Sequence, residues 1–501
     1  RSTAVFGTLV SLALGGAFAL LVALTDIRAR GALVFCFMLP LMIPSQITAL
    51  AWIQLLGPSS ALLKAMALSP APGTPHPMYG REGIIALLGI EHAPLVFLAL
   101  RAGLRALPRE MIEAARAAGA GRTKILRSIV VPLMAPALAA GALLSFVSSL
   151  GNFGTPALLG IPVNYTTLPT LIYQRLSGFG PRVLSDMAVL SLLIGALALA
   201  GVLLQNWAIS RRDYRVIGGG STALAWRLGR ARPAIETVCW LAIVAIVVVP
   251  ALALVASSLV VATGIPLNAT TATLANYAKG LFVQANTSRA FANSFLLAAS
   301  AALAVVAIAV PLAYFIAWRR GRLIRALALV VELPYALPGI VLAIACILVF
   351  LRPLPLLNVS LYGTLWIIFV AYVARFLSLG LRPVLSGFAQ LDRTLEEAAT
   401  SAGAGFGFRL RTIVLPLMAP VAVAGGLLVF LTALNELTVS ALLWSSGRET
   451  LGVVVFSLQE GGDSPLAAAI AVISIVAIVV LMALASLLAR RLPEGVLPWA
   501  R

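Results

Sequence analysis

Two loops carry the same chemistry. Residues 113–136 read EAARAAGAGRTKILRSIVVPLMAP and residues 397–420 read EAATSAGAGFGFRLRTIVLPLMAP, with sixteen of 24 positions identical at a constant shift of 284. In each loop a Glu opens a short alanine helix, Glu113-Ala114-Ala115 or Glu397-Ala398-Ala399, and a Gly follows six residues after it, Gly119 or Gly403. A smooth alanine face can enter a groove on another protein. The Glu is favourable near a helix N-terminus and can pair with a partner's Arg. Gly119 and Gly121, like Gly403 and Gly405, are expected to turn the backbone sharply. Pro132 and Pro416 then mark re-entry into apolar helix. One copy reads equally well as a plain helical hairpin; two copies at matching positions point to docking.

A second set of groups lies inside apolar runs. Glu91 and His92 precede the first loop, and Tyr372 and Arg375 hold the corresponding place before the second. Asn152, Asn435 and Glu436 stand near the ends of the helices that follow the loops. Ionisable groups in a bilayer are costly unless they face one another or a wet cavity. These seven are therefore candidates for a translocation path, with Asn152, Asn435 and Glu436 toward its outer mouth. The competing readings are mutual pairing or snorkelling to an interface for Glu91, His92 and Arg375, and helix termination for Asn152 and Glu436. Glu332, beside Leu333-Pro334, is expected to pack near the proline break.

The elements that must hold these groups are membrane helices. The chain is 61% hydrophobic and 11% charged, against about 25% charged in an ordinary globular protein. A soluble fold cannot hide that much apolar surface. A crossing helix needs about 20 apolar residues, and eleven stretches qualify: near 4–24, 31–56, 83–103, 134–151, 186–208, 238–261, 291–318, 323–350, 361–381, 417–443 and 466–489. The first is too long for a signal peptide and lacks a small-residue cleavage pattern. The class is all-α, a polytopic membrane protein of two pseudo-equivalent halves: 1–209, a basic linker 210–236 broken by Gly218-Gly219-Gly220, and 237–501.

The net charge of +19 does not point to nucleic acid, because 26 of the 36 Lys and Arg lie on one set of alternate loops. The opposite loops and the N-terminus hold nine, and Arg375 lies within a span. The rich set is expected in the cytoplasm, which puts both repeated loops there and Arg1 outside. Cys36, Cys239 and Cys346 sit in apolar runs without metal-ligand spacing, and His76 and His92 are the only histidines. None of Lys64, Lys124 and Lys279 follows a Gly, so the chain has no phosphate-binding Gly-Lys loop. It is expected to bind no cofactor, hold no metal and catalyse no reaction of its own.

The duplication extends beyond the loops. Leu39-Pro40 with Pro44 matches Leu333-Pro334 with Pro338, and Arg30-Gly31 matches Arg320-Gly321. The second half has three spans before the helix preceding its loop, and the first half has two. One further helix is expected upstream of Arg1.

At these loops the chain resembles the permease subunits of binding-protein-dependent ABC importers, whose hallmark is Glu-Ala-Ala, three residues, Gly, nine residues, Ile-x-Leu-Pro. Glu113-Ala114-Ala115, Gly119, Ile129 and Pro132 match, with Val131 in place of Leu; Glu397-Ala398-Ala399, Gly403, Ile413, Leu415 and Pro416 match fully. The resemblance implies two type I transmembrane halves in a bacterial inner membrane, working by alternating access. It implies a coupling helix in each loop, seated on two copies of a cytoplasmic ATPase that binds ATP and Mg. A periplasmic or extracellular binding protein would deliver the solute. Two loops on one chain look like the fused ferric-iron-type permeases, as do Ser149-Leu150-Gly151-Asn152-Phe153-Gly154-Thr155-Pro156 and Tyr372-Val373-Ala374-Arg375-Phe376-Leu377. Thiamine permeases are similar in fusing two halves, and relatives handle polyamines, phosphonates or phosphorylated vitamins. The alternative is a secondary transporter of two parallel repeats, which calls for a coupling-ion site among midplane carboxylates. Carboxylates are few here, and a membrane enzyme lacks any nucleophile–base pair.

Overall fold

The computed structural model describes residues 2–105, 107, 109–176, 178, 183–210, 226–318, 321–354, 358–434 and 436–489. Asn435 and Gly218-Gly219-Gly220 lie outside the described residues. Among the described residues the chain is helical, with a single isolated bridge between Thr25 and Trp226. The main helices are α1 (Ser2–Leu24), α2 (Arg30–Met42), α3 (Ser45–Leu56), α4 (Arg81–Arg105), α5 (Arg109–Ala117), α6 (Arg122–Leu133), α7 (Ala135–Gly151), α8 (Gly154–Gly160) and α9 (Val183–Ser210). They continue as α10 (Gly229–Ser258), α11 (Ala285–Trp318), α12 (Arg322–Ala336), α13 (Gly339–Phe350), α14 (Leu365–Gln390), α15 (Thr394–Ser401), α16 (Phe406–Leu434), α17 (Leu451–Glu460) and α18 (Ser464–Ala489).

Seven of these are long and apolar enough to cross a membrane, or nine if each of two bent pairs is one span. The eleven expected stretches all contain helix, but prolines divide several. The stretch 31–56 bends by 99° between α2 and the helix that follows it, and 122–151 bends by 64° between α6 and α7. The stretch 323–350 is interrupted at Leu337-Pro338, and 417–443 ends as a long helix at Leu434. A proline has no N–H and its ring clashes with the carbonyl four residues back. Pro44 (φ −55, ψ 139) and Pro338 (φ −54, ψ 138) adopt the same extended geometry and start α3 and α13. The match of Pro44 to Pro338 in the sequence is therefore a match of two backbone breaks.

Proline also explains three wide turns. The π turns Leu126–Val130, Val244–Val248 and Leu410–Val414 each end two residues before a proline: Pro132, Pro250 and Pro416. Letting each turn bond one residue further back accommodates the missing donor without ending the helix. Two of the three are repeat partners.

The chain forms two compact units, Arg1–Asn276 with Gln459–Val472 and Tyr277–Leu458 with Ile473–Arg501. In the first, α1, α4 and α7 pack together. A Cβ on Gly15 would lie 2.3 Å from the Ala93 carbonyl, and one on Gly141 3.1 Å from the Val96 Cα. In the second, α11, α14 and α16 form the matching trio, where a Cβ on Gly425 would lie 2.8 Å from the Gly380 carbonyl. Without a hydrophobic drive between helices in lipid, small residues that let backbones approach supply the packing. Helix α10 follows the linker in the chain yet belongs to the first unit: it packs on α3, and Ser257 Oγ donates to Gln54 Oε1 at 2.6 Å. Spatial grouping thus departs from the division at residue 237 that the repeat suggests.

Candidate functional site

The two repeated loops adopt one geometry. Helix α5 ends in a left-handed Gly119 (φ +79), whose N–H donates to Arg116 O (2.9 Å) while Ala120 N–H donates to Ala115 O (2.9 Å). Helix α15 ends in Gly403 (φ +80), with Gly403 N–H on Thr400 O and Ala404 N–H on Ala399 O, both 3.0 Å. This pair of bonds is the Schellman closure, which needs a residue at positive φ. Gly121 (φ −69, ψ 162) and Gly405 (φ −65, ψ 159) instead stand extended at the start of the next helix. That corrects the expectation that all four glycines make the turn: any residue adopts the latter conformation, and only Gly119 and Gly403 require glycine.

The helices present the same face outward. Glu113, Ala114 and Gly119 are exposed and Ala115 half-buried; Glu397, Ala398 and Gly403 are exposed and Ala399 half-buried. Glu397 pairs with Arg393 at 3.2 Å across one helical turn. The residue before each Glu points inward, Ile112 in the first loop and Glu396 in the second.

The polar groups within the helices form a junction in each unit. In the first, Glu91 is buried on α4 and both its oxygens are occupied: Thr155 Oγ1 donates to Oε1 (2.7 Å) and Asn152 Nδ2 to Oε2 (3.1 Å). Asn152 also terminates α7, accepting from Thr155 N–H (3.2 Å). Next to Glu91, His92 Nδ1 meets Ser149 Oγ at 3.0 Å. The junction abuts the start of α3, since a Cβ on Gly154 would lie 2.5 Å from Ser45 Oγ and 2.8 Å from Gln46 N.

In the second unit Glu436 is buried and caps the short helix Ser440–Leu443, accepting from Val439 N–H (2.9 Å) and Ser440 N–H (3.2 Å). Tyr372 OH donates to Glu436 O at 3.4 Å. Arg375 lies over the Phe376 ring at 5.9 Å and against the start of α13, its Nη1 2.0 Å from where a Cβ on Gly339 would stand. That Nη1 is buried without a hydrogen-bond partner. Glu332 pairs with Arg382 at 3.0 Å.

The structure thus brings Glu91 together with Asn152, and Tyr372 with Glu436. Sequence reasoning missed Thr155 and Ser149 as the partners of Glu91 and His92. It also missed Glu396, with its partners Tyr314 and Arg409. The only signal was the internal alignment, in which Ile112 and Ile125 of the first loop become Glu396 and Arg409 of the second.

A helical membrane protein with two copies of a proline-broken span, a looped helix pair and a polar junction defines a duplicated transport subunit. The chain belongs to the family described as binding-protein-dependent transport system inner membrane component, whose model matches residues 15–216 and again 309–494. It is a multi-pass inner-membrane permease component of an ABC transport system, a class that works in general with ATPase and binding-protein partners. It is 30% identical over 488 residues to the "Probable ABC transporter permease protein y4fN" of Sinorhizobium fredii, covering 94% of this chain and 83% of that one. It is 28% identical over 480 residues to the "Ferric transport system permease protein FbpB" of Actinobacillus pleuropneumoniae, covering 93% and 66%. Against the "Fe(3+)-transport system permease protein FbpB 2" of Haemophilus influenzae, identity is 25% over 390 residues, covering 77% and 72%.

Proposed function

We propose that the chain is the permease of an importer, taking a small solute from an external binding protein into the cytoplasm by alternating access. Two copies of a separate ATPase, holding the ATP and Mg, seat one on Glu113-Ala114-Ala115 to Gly119 and one on Glu397-Ala398-Ala399 to Gly403. ATP-driven closure of the ATPases moves both helices and reorients the path. The observation that carries this reading is that two loops 284 residues apart repeat one closed turn and one outward face. The halves are 1–209 and 237–501, joined by the linker 210–236. The path is lined by Glu91, His92, Asn152, Tyr372, Arg375, Asn435 and Glu436. Its solute is ferric iron or another small polar or anionic species, a choice supported by the named activity of two of the relatives.

The test replaces Gly119 and Gly403 by Val. Nothing lies within 4 Å of a Cβ at either site, so the cost is confined to backbone conformation. Holding a left-handed turn with an L-residue costs about 1–2 kcal/mol, and more when it is β-branched. In vesicles reconstituted with ATPase, binding protein and ferric iron as probe, the double variant is expected to hydrolyse ATP without moving solute, its spans intact. Wild-type transport by an assembled Gly119→Val/Gly403→Val complex would sink the coupling assignment.

A further inference from the structure

We propose that Tyr314, Glu396 and Arg409 form a latch that locks the second ATPase-facing helix, α15, to the long helix α11, and that the first loop lacks it. The proposal rests on the coupling reading above and concerns what happens to a stroke after the ATPase delivers it.

Tyr314 sits near the C-terminal end of α11 and is 2% exposed; its hydroxyl donates to Glu396 Oε1. The same oxygen lies 3.3 Å from Arg409 Nε, a charge contact in which Nε makes no hydrogen bond, with the Glu396 and Arg409 side chains each 11% exposed. Arg409 reaches back across the turn, donating from Nη1 to Thr400 Oγ1 (2.6 Å) and to Ala404 O (3.1 Å). One guanidinium on α16 therefore grips the inward face, the last turn and the following loop of α15. A ring wall closes over Tyr314: Trp318 at 5.2 Å, Phe406 at 5.3 Å and Phe388 at 6.3 Å between centroids, all near edge-to-face. Three helices and the loop between them meet at one carboxylate.

Helix α15 has eight residues. That is too short to be stable through its own backbone bonds, so its orientation is set by what its inward face touches. In the first loop that face is Ile112, with Ile125 opposite, 2% and 1% exposed. These are the positions 284 residues before Glu396 and Arg409. An aliphatic contact is non-directional and permits small rotations and slides at little cost. In the second loop the directed bond from Tyr314 fixes the Glu396 carboxylate, and pulling it away from the Arg409 guanidinium leaves a largely buried charge without its partner. The first loop instead has a hold on its exposed side, where Arg122 Nη2 donates to Arg227 O at 3.0 Å at the end of the linker. Glu397 faces out from the residue next to Glu396, so a push on the docking face passes directly into Glu396 and, through Tyr314, into α11. The two loops share a docking shape and differ in how rigidly they transmit.

Tyr314, Glu396 and Arg409 are positioning residues on this reading. The experiment uses full-length permease with its ATPase and binding protein in vesicles and ferric iron as probe. It compares Tyr314→Phe, Glu396→Gln and the double variant Glu396→Ile/Arg409→Ile, which copies the first loop. ATP hydrolysis and solute uptake are measured separately, and a Ser401→Cys cross-link to the ATPase reports docking. Tyr314→Phe and Glu396→Gln are expected to lower solute moved per ATP by about 3- to 10-fold, with the cross-link unchanged. The Ile/Ile variant is expected to regain wild-type yield and assembly while its transport ratio stays low. A double variant with the wild-type ratio would show that the triad only fills space, and the proposal falls. Absence of the Ser401 cross-link in the otherwise wild-type protein would instead remove the docking assignment on which it stands.

Discussion

Glu91 and Arg375 occupy the same position in the two copies of the duplicated sequence, an acid in one and a base in the other; so placed, too, are Asn152 and Glu436. Around Glu91 both carboxylate oxygens have donors. Around Arg375 one guanidinium nitrogen has none, and Glu436, which feels the Arg375 charge, takes its hydrogen bonds from backbone N–H groups of its own turn. The backbone design survived duplication while its polar filling did not. Prolines and helix ends are local properties that each copy retains alone. A polar pair needs two positions to change together, so it is free to diverge once each partner is satisfied elsewhere.

That contrast predicts unequal costs. Glu91→Leu takes the carboxylate from the half-buried Asn152 amide and leaves the buried Thr155 hydroxyl only a long bond to Ser45 O at 3.4 Å. A lost buried partner costs about 1–3 kcal/mol, and the variant is expected to lower the thermal midpoint of the detergent-solubilised protein by the largest margin. Arg375→Met made together with Glu436→Gln removes both charges of a buried pair, and such whole replacements are often neutral or stabilising; the midpoint of this double variant is expected to stay near wild type. Equal losses in the two variants would end the comparison. If ferric iron uptake also collapses in the double variant at unchanged stability, the pair belongs to the path rather than the scaffold.

Smaller effects separate the two sides of each junction. Gly154→Ala meets the Gln46 backbone nitrogen at 2.8 Å, and backbone cannot step aside, so an overpacking cost of about 1–3 kcal/mol is expected. Gly339→Ala meets side-chain atoms, the tip of Arg375 and, at 3.1 Å, the Thr438 Cγ2; side chains can shift where backbone cannot, so it is expected to cost less. Urea or thermal unfolding of the two variants side by side reads the difference, and the reverse order would mean that Arg375 is clamped.

The smallest effect lies outside the spans, where the linker's end is clipped to the loop after α1. The Leu228 N–H donates to Asp26 Oδ1 at 2.9 Å, and Arg232 lies 3.7 Å from Oδ2. The Leu228 hydrogen bond holds the Asp26 carboxyl below the usual aspartate range; desolvation, the next largest effect, opposes it, and the charges of Arg232 and Arg227 add to it. A lowered value means the clip is fully stabilising above the ordinary aspartate titration and is lost as pH falls through the lowered one. Hydrogen exchange at the Leu228 amide is expected to stay slow at neutral pH and to quicken only in strongly acidic buffer. Asp26→Asn should weaken the acid step, and an unaltered step would assign it to another group.

Much of this was legible beforehand. The Schellman glycines could be read because a Gly shortly after a Glu-Ala-Ala run falls where so short a helix must end. The breaks at Pro44 and Pro338 could be read because a missing N–H acts locally. Gly121 and Gly405 misled because glycine type alone does not reveal the sign of φ. Thr155 was quoted within a string resembling relatives, yet nothing in its spacing tied it to Glu91, 64 residues away. Glu396 was overlooked beside the motif's own Glu397, because helical phase decides which neighbour faces in, and that phase is set by what the helix packs against.

Composition and periodic apolarity were enough to make this a membrane protein, and two near-identical loops were enough to make it a duplicated permease. Those properties are local, carried by side-chain transfer energies, proline's missing donor and glycine's access to positive φ. Three features were decided only when helices met: the satisfied carboxylate in one unit against the incompletely bonded guanidinium in the other, the Tyr314–Glu396–Arg409 latch, and the allegiance of α10 to the first unit. Each depends on which faces come into register at close crossings such as Gly141 with Val96 and Gly425 with Gly380. Register at a crossing is a property of two surfaces, and no single stretch of sequence contains both.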